Sequence, residues 1–322
     1  MNKERYRKLC EKEKTIPIFL RDWWMDAVSI DGEWDVKLYE LDSEIMGVLV
    51  YYLTNKANKK VITLPPLTQK NGIWIKYPQN QKLVTKISYE NKVTKELLNQ
   101  LEREDVYSYN QNFDYNFQNW YEFYWREYIQ TTRYTYVIED LADLKKVYDN
   151  FDKSLRCNIR KAEKVVQVKR NLSIEKFYNL NKITFERKSA NIPYSFEVVK
   201  RIDEACKERK CREIFYAVDE DKNIHSAIYI VWDYHSAYYI MEGVNPEFLN
   251  SQATSLLLWK AIEHSAEYVK KFDFEGSMMQ SIERFFRKYG GVQRQYFNIK
   301  KIYKHDCVYE FIKNIYKKIK NR

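Results

Sequence analysis

Three β-rich runs that close on a proline occur twice in this chain, roughly 180 residues apart, and that repeat narrows the folds open to it. In the first half the runs are Glu33 to Leu41, Glu44 to Leu53 and Lys60 to Leu64. Polar breaks at Asp42-Ser43 and Asn55 to Asn58 separate them, and Pro65-Pro66 follows. In the second half they are Arg212 to Val218, Ile224 to Trp232 and Ala237 to Glu242, broken at Asp219 to Asn223 and around Tyr234, with Pro246 beyond. Breaks this short join antiparallel neighbours. A proline suits the end of the third strand because it cannot donate to a ladder. The repeat reads as a duplicated module, and 322 residues suffice for two domains of ordinary size.

The elements after the second meander set its fold class. From Ser251 to Lys270, Ala253, Leu257, Ala261 and Ser265 recur at helical spacing beside Leu256, Leu258 and Ile262, which predicts a mostly buried helix. Phe272 and Phe274 alternate with Asp273 and Glu275 in a short strand. Ile282, Phe285, Phe286 and Tyr289 then give a second helix one apolar face, stopped by Gly290-Gly291, and Gln293 to Ile299 returns as a strand. Glu139 to Tyr148 and Lys153 to Lys164 read as opening helices. The result is an α/β (α+β) chain of two modules, each a mixed, mainly antiparallel sheet flanked by helices. A boundary near Thr131 to Tyr136 gives a first domain at 1–130 and a second at 131–305. Residues 306–322 form a basic helix expected to pack back on the first domain.

Composition removes several classes of function. Only 7 glycines are present, which speaks against Gly-rich phosphate loops and Rossmann fingerprints. The net charge of +10 favours an anionic partner: nucleic acid, a phosphate-bearing cofactor or the inner face of a membrane. Five scattered cysteines and four unclustered histidines offer no zinc-ligand spacing, so no metal is expected. Met1 to Lys14 is polar and the apolar runs are strand length, so a cytoplasmic protein is expected. The tail lysines, Lys313, Lys317, Lys318 and Lys320, suit contact with a membrane surface.

Four strings resemble the FemAB-like branch of the GNAT superfamily. Pro17-Ile18-Phe19-Leu20-Arg21-Asp22-Trp23-Trp24 is similar to the start of the first domain. Phe123-Tyr124-Trp125 with Thr131-Thr132-Arg133-Tyr134-Thr135 is similar to the junction, and Arg156-Cys157-Asn158-Ile159-Arg160-Lys161-Ala162 to the helix that opens the second domain. Asp273-Phe274-Glu275-Gly276-Ser277, running on to Arg284-Phe285-Phe286-Arg287-Lys288-Tyr289-Gly290, is similar to the closing strand and helix. The resemblance implies tandem GNAT-like domains, the first degenerate and the second carrying the donor cleft. It implies transfer of an acyl group from acyl-CoA, or of an amino acid from aminoacyl-tRNA, to an amine of a cell-envelope, surface-polysaccharide or peptidoglycan precursor. One departure stands out: where acetyl-CoA-binding relatives carry a Gly-containing loop, this chain has Pro246 to Thr254 without glycine.

Attack by an amine on an ester or thioester requires a base, donors for the oxyanion and a held acyl donor. The fold implied by the resemblance puts the cleft between the strand ends at Glu242 and Glu275, so either carboxylate is a candidate base or ammonium anchor. Each could also be a solvated strand-end group, the commoner case for an exposed carboxylate. Asn250, Ser251, Gln252, Ala253 and Thr254 are the candidate donor-binding loop, with Asn250 or Ser251 as helix N-cap. Glu186, Arg187 and Tyr194 fall in a segment that the resemblance implies faces the acceptor. Arg156, Arg160 and Lys164, spaced four apart with Lys161 alongside, could grip phosphates of CoA, tRNA or a lipid-linked sugar, or could be a solvated helix face. His225 and His235 are weaker candidates for proton shuttling. The absence of a paired nucleophile favours direct transfer. A pair of silent domains serving as a binding protein is the alternative of another class.

Overall fold

The computed structural model describes residues 2–304 except Lys188 and Ser277. The tail at 306–322, expected as a packed helix, lies outside the described residues. Helices α1 (Asn2–Lys12) and α2 (Asp22–Val28) lead into the meander β1 (Glu33–Leu41), β2 (Glu44–Lys56) and β3 (Lys59–Thr63). After it come β4 (Gly72–Ile75), α3 (Leu83–Leu101), β5 (Ser108–Asn112) and α4 (Tyr121–Tyr124). Strand β6 (Ile129–Ile138) crosses to the second half, with α5 (Leu144–Asp149), α6 (Lys153–Ala162), β7 (Gln167–Arg170), α7 (Ile174–Arg187) and α8 (Phe196–Glu208). The second meander is β8 (Arg212–Val218), β9 (Ile224–Trp232) and β10 (Ala237–Val244). A 3-10 turn at Pro246–Ser251, then α9 (Ala253–Ser265), β11 (Phe272–Asp273), α10 (Gln280–Phe286) and β12 (Val292–Ile302) follow.

Both meanders form with the expected antiparallel pairing. The fold class is the expected one, a mixed and mainly antiparallel sheet flanked by helices. The difference is that the two expected sheets are one. Its order is β1-β2-β3-β5-β12-β6-β11-β10-β9-β8-β7, with β4 on β2. The halves exchange their closing strands: β6, leaving the first half, pairs with β11, while β12, from the end of the second half, lies between β5 and β6. The exchange joins what would be two sheet edges with unpaired backbone groups. Side chains reinforce the seam, because Asn298 Nδ2 donates to Asn110 Oδ1 at 2.7 Å and to Asn112 Oδ1 at 2.9 Å.

The cores follow the same logic. One gathers α6, α9 and the inner faces of β8 to β10, and another gathers α3 and the first meander. A third crosses between the halves, bringing Trp24, Tyr6 and Val50 against Phe177, Val199, Tyr229 and Tyr238. Arg201 adds a bond across that boundary, donating to the Asp26 carbonyl at 2.7 Å. The expected helix from Ser251 to Lys270 starts later and ends earlier, at Ala253 and Ser265. Its apolar positions are buried all round, as for a helix covered on several sides. Among the described residues no helix is long and apolar enough to cross a membrane.

Candidate active site

The cleft begins where strand pairing stops. β10 and β11 run parallel over only two pairs, Ala237 with Phe272 and Tyr238 with Asp273. Directly beyond, the register of β10 on β9 slips between Tyr239 and Met241. Such a bulge bends its strand, and here it carries the rest of β10 away from β11. On the other side the chain leaves β11 through Glu275 and Gly276, with φ of 59° and 60°. At Gly276 glycine is required: a Cβ there would lie 2.2 Å from the Tyr134 carbonyl oxygen. Glu275 takes the same left-handed region with a side chain, a strain of about 1–3 kcal/mol that the fold holds in place.

Between the diverging segments is a cavity of about 490 Å³. Tyr239 to Glu242 form one wall, Phe274 to Gly276 the other, and Ile282, Phe285 and Phe286 an apolar floor from α10. Gln69 reaches its rim from the first half, and Arg187, at the end of α7, also lines it. Both candidate carboxylates therefore face one cavity. Oε2 of Glu242 accepts a bond from the Tyr239 hydroxyl at 2.7 Å, and its backbone carbonyl accepts from Asn181.

Glu275 is set deeper, only 5% exposed. Burial pushes its carboxyl up to about 8, with Lys70 pulling the other way and Asp273 adding to the rise. Lys70 explains the balance. Its buried ammonium stands 2.7 Å from Asp273 Oδ2, 3.0 Å from Glu275 Oε1 and 3.6 Å from Asp114 Oδ2. Asp273 also accepts from the Thr135 hydroxyl at 2.6 Å and from the Glu275 backbone N–H at 2.8 Å. One cation is thus shared by three carboxylates, and Asp273 holds the closest place with two further donors. Glu275 is left to carry the proton near neutrality. Neither of its oxygens has a hydrogen-bond donor among the described residues beyond its ionic contact with Lys70.

The remaining candidates divide. Ser251, Gln252, Ala253 and Thr254 line a hollow of about 90 Å³ at the start of α9, which shares Val244, Leu249, Thr254 and Phe285 with the cleft. That is room for about three waters, the scale of one phosphate. The expected N-cap is corrected: neither Asn250 nor Ser251 occupies it, but Gln252, left-handed at φ 60°. A left-handed turn lets the chain enter α9 without glycine. Asn250 is exposed and lines neither cavity, while the Ser251 hydroxyl donates to the Phe248 carbonyl at 2.7 Å. Glu186 is exposed with Lys182 as its partner, and Tyr194 lies behind the wall, donating to Asn181 Oδ1 at 3.0 Å.

The α6 stripe is not brought to the cleft. Arg156 donates to the Asp149 carbonyl, while Arg160, Lys161 and Lys164 lie on the solvent face. Both histidines have structural partners, His225 against Asp219 and the Phe248 ring, His235 on the Thr15 carbonyl. A wider hollow of about 770 Å³, beside Glu163, Arg170 and His264, shares no residue with the cleft. Lys70 and Asp114 are site residues that the sequence reading missed. They lie in loops of the first half, 203 positions from Asp273 in the case of Lys70, and carry no local motif.

Residues 149–287 match the acetyltransferase (GNAT) domain family. Against solved structures, the chain is similar to FemX, at 12% identity over 92% of this chain and 96% of that one, with a TM-score of 0.69. It is similar to L-PGS from Bacillus licheniformis at 12% identity over 95% and 93%, TM-score 0.55. A tandem GNAT protein from the clavulanic acid biosynthesis pathway aligns at 10% identity over 94% of each chain, TM-score 0.50. Among curated protein sequences none matches. These likenesses extend the GNAT fold over both halves, and the matched segment contains β10, β11 and the cleft between them. A GNAT acetyltransferase domain match over residues 149–287, in a chain whose fold is GNAT-like throughout, supports an acyltransferase.

Proposed function

We propose that the β10–β11 cleft transfers an acyl group from acyl-CoA directly to an amine of an envelope or surface-polysaccharide precursor. The observation that carries this reading is Glu275, a buried carboxyl titrating near 8 in the wall of a cavity of about 490 Å³. A base poised close to the working pH is what amine attack needs. As the acceptor nitrogen bonds to the acyl carbon and the carbon–sulfur bond breaks, the amine gives up one proton to the ionised form of Glu275, whose share grows as pH approaches 8. Glu275 passes that proton on to the departing sulfur and returns to its ionised form, so the products are an amide and a thiol. Glu242, braced by Tyr239, anchors the acceptor ammonium before it is deprotonated. Lys70 is a positioning residue, fixing Asp273 and setting the proton affinity of Glu275.

The donor fits the residues present in one respect and departs in another. The hollow formed by Ser251 to Thr254 takes a phosphate-sized group at the positive end of α9, where the Ala253 N–H meets only the Ser251 hydroxyl at 3.4 Å and the Ser255 N–H the Gln252 carbonyl at 3.0 Å. Gln252 supplies the left-handed turn in place of glycine. Arg187 suits an anionic group on the acceptor. The protein acts on this reading inside the cell, against a small or lipid-linked sugar or amino-acid acceptor.

A second reading, aminoacyl-tRNA as donor, is favoured by the solvent-facing stripe Arg156, Arg160, Lys161 and Lys164. Thermal shift with acetyl-CoA, longer acyl-CoAs, free CoA and bulk tRNA separates the two. A ligand at a hundred times its dissociation constant adds about 2.7 kcal/mol. Stabilisation by CoA compounds is expected. Stabilisation by tRNA alone would transfer the proposal to the second donor.

A further inference from the structure

The apolar stripe of α3 continues past the body of the protein. Val93, Leu97, Leu98 and Leu101 are buried under the first sheet. Leu83 and Ile87 fall on the same helical face at i and i+4, yet they stand in solvent. Leu83 is 73% exposed and the neighbouring Val84 69%. Asn119 fastens a second exposed group beside this turn, donating to the Ile87 carbonyl at 3.4 Å and to Asn91 Oδ1 at 2.8 Å. Directly after it, Tyr121 and Trp125 stack at 5.4 Å, and Trp125 is 58% exposed. Aliphatic anchors and a ring cluster on one surface form a patch of the kind that marks an interaction site.

Charge decides what it meets. From Lys76 to Glu96 the chain carries five lysines, at 76, 82, 86, 92 and 95, against two acids, Glu90 and Glu96, and Lys76 is paired with Glu44 at 3.2 Å. Glu90 is occupied by the Tyr77 hydroxyl and the Asn119 amide. No acidic residue lies in the first turn of α3. Lys86 rides over the Tyr77 ring at 4.5 Å. Apolar anchors flanked by lysines, with tryptophan and tyrosine at the rim, match the interface of an anionic bilayer.

We propose that the start of α3 and the Tyr121–Trp125 segment dock this protein onto an anionic membrane surface. The patch shares no residue with the cleft, so it stands whether or not the donor is acyl-CoA. The test is co-sedimentation of the full chain with vesicles of phosphatidylcholine alone and of phosphatidylcholine with phosphatidylglycerol, at low and high salt. Binding to the anionic vesicles that weakens with salt is expected, with at least a tenfold loss in a Leu83→Asp, Val84→Asp variant. Both positions are exposed, so its circular dichroism and melting midpoint should match the parent. Should that variant fail to fold, Trp125→Ser serves in its place, with the same loss expected. The proposal is overturned if the parent ignores anionic vesicles, or if the folded variant binds as the parent does. It is also overturned if the parent self-associates in sedimentation velocity and the variant does not, which would make the patch a contact between copies.

Discussion

At the scale of single residues the account rests on Glu275 and Lys70. A carboxyl raised by folding from its ordinary range to about 8 binds more protons folded than unfolded between those values. Its contribution to stability is therefore complete in acid and is lost as pH rises through about 8. The Glu275→Gln variant should lack that part of the pH dependence, so its melting midpoint should fall less than the parent's between pH 5 and pH 9. Its rate should drop by roughly 10²–10⁴ with little change in KM, because a general base acts in the transition state. An unchanged rate would move the base elsewhere. For Lys70→Met the prediction is a loss of about 3–5 kcal/mol at pH 8, as for other broken buried ion pairs. Denaturant melts of parent and variant at that pH decide it, and equal stability would contradict it. Glu242 and Glu275 could be named from the sequence because the resemblance set the ends of two strands side by side, although β10 runs two residues past Glu242 and β11 stops two residues before Glu275. Lys70 could not, since a buried lysine in a loop looks like any surface lysine until its distant carboxylates are known.

Among elements, the repeated meander could be read from alternation and breaks, and the buried helix α9 from its spacing. What escaped was the exchange of β6 and β12. Alternation assigns a run to a strand but says nothing of which strand lies beside it, and both candidates at the seam are equally β-rich. The turn into α9 escaped for a related reason. Its left-handed residue is Gln252, a type that rarely takes that conformation, so no glycine marks the turn in the sequence. Gln252→Gly should relieve the strain and be neutral or stabilising by up to about 1 kcal/mol in chemical denaturation. A marked loss would mean that the glutamine side chain holds the loop.

For the whole molecule, the exchange and the core shared by α2 and α8 tie the halves into one structure. Heating should accordingly give a single calorimetric transition whose van't Hoff and calorimetric enthalpies agree, and two resolved transitions would contradict that reading. The same arrangement brings Lys70 and Gln69, from the first half, to a cleft whose walls belong to the second, so neither half holds the complete site. The claim that joins these scales is that the β10–β11 cleft takes an acyl-CoA donor. It is tested most directly by calorimetric titration of acetyl-CoA into the parent and into a Leu249→Trp variant. Leu249 is partly exposed and lines both the cleft and the hollow at α9, so tryptophan there should block the junction without touching the core. Saturable binding by the parent, lost in a variant that melts at the same temperature, is the predicted result. Equal binding by both, or none by the parent, would contradict the account.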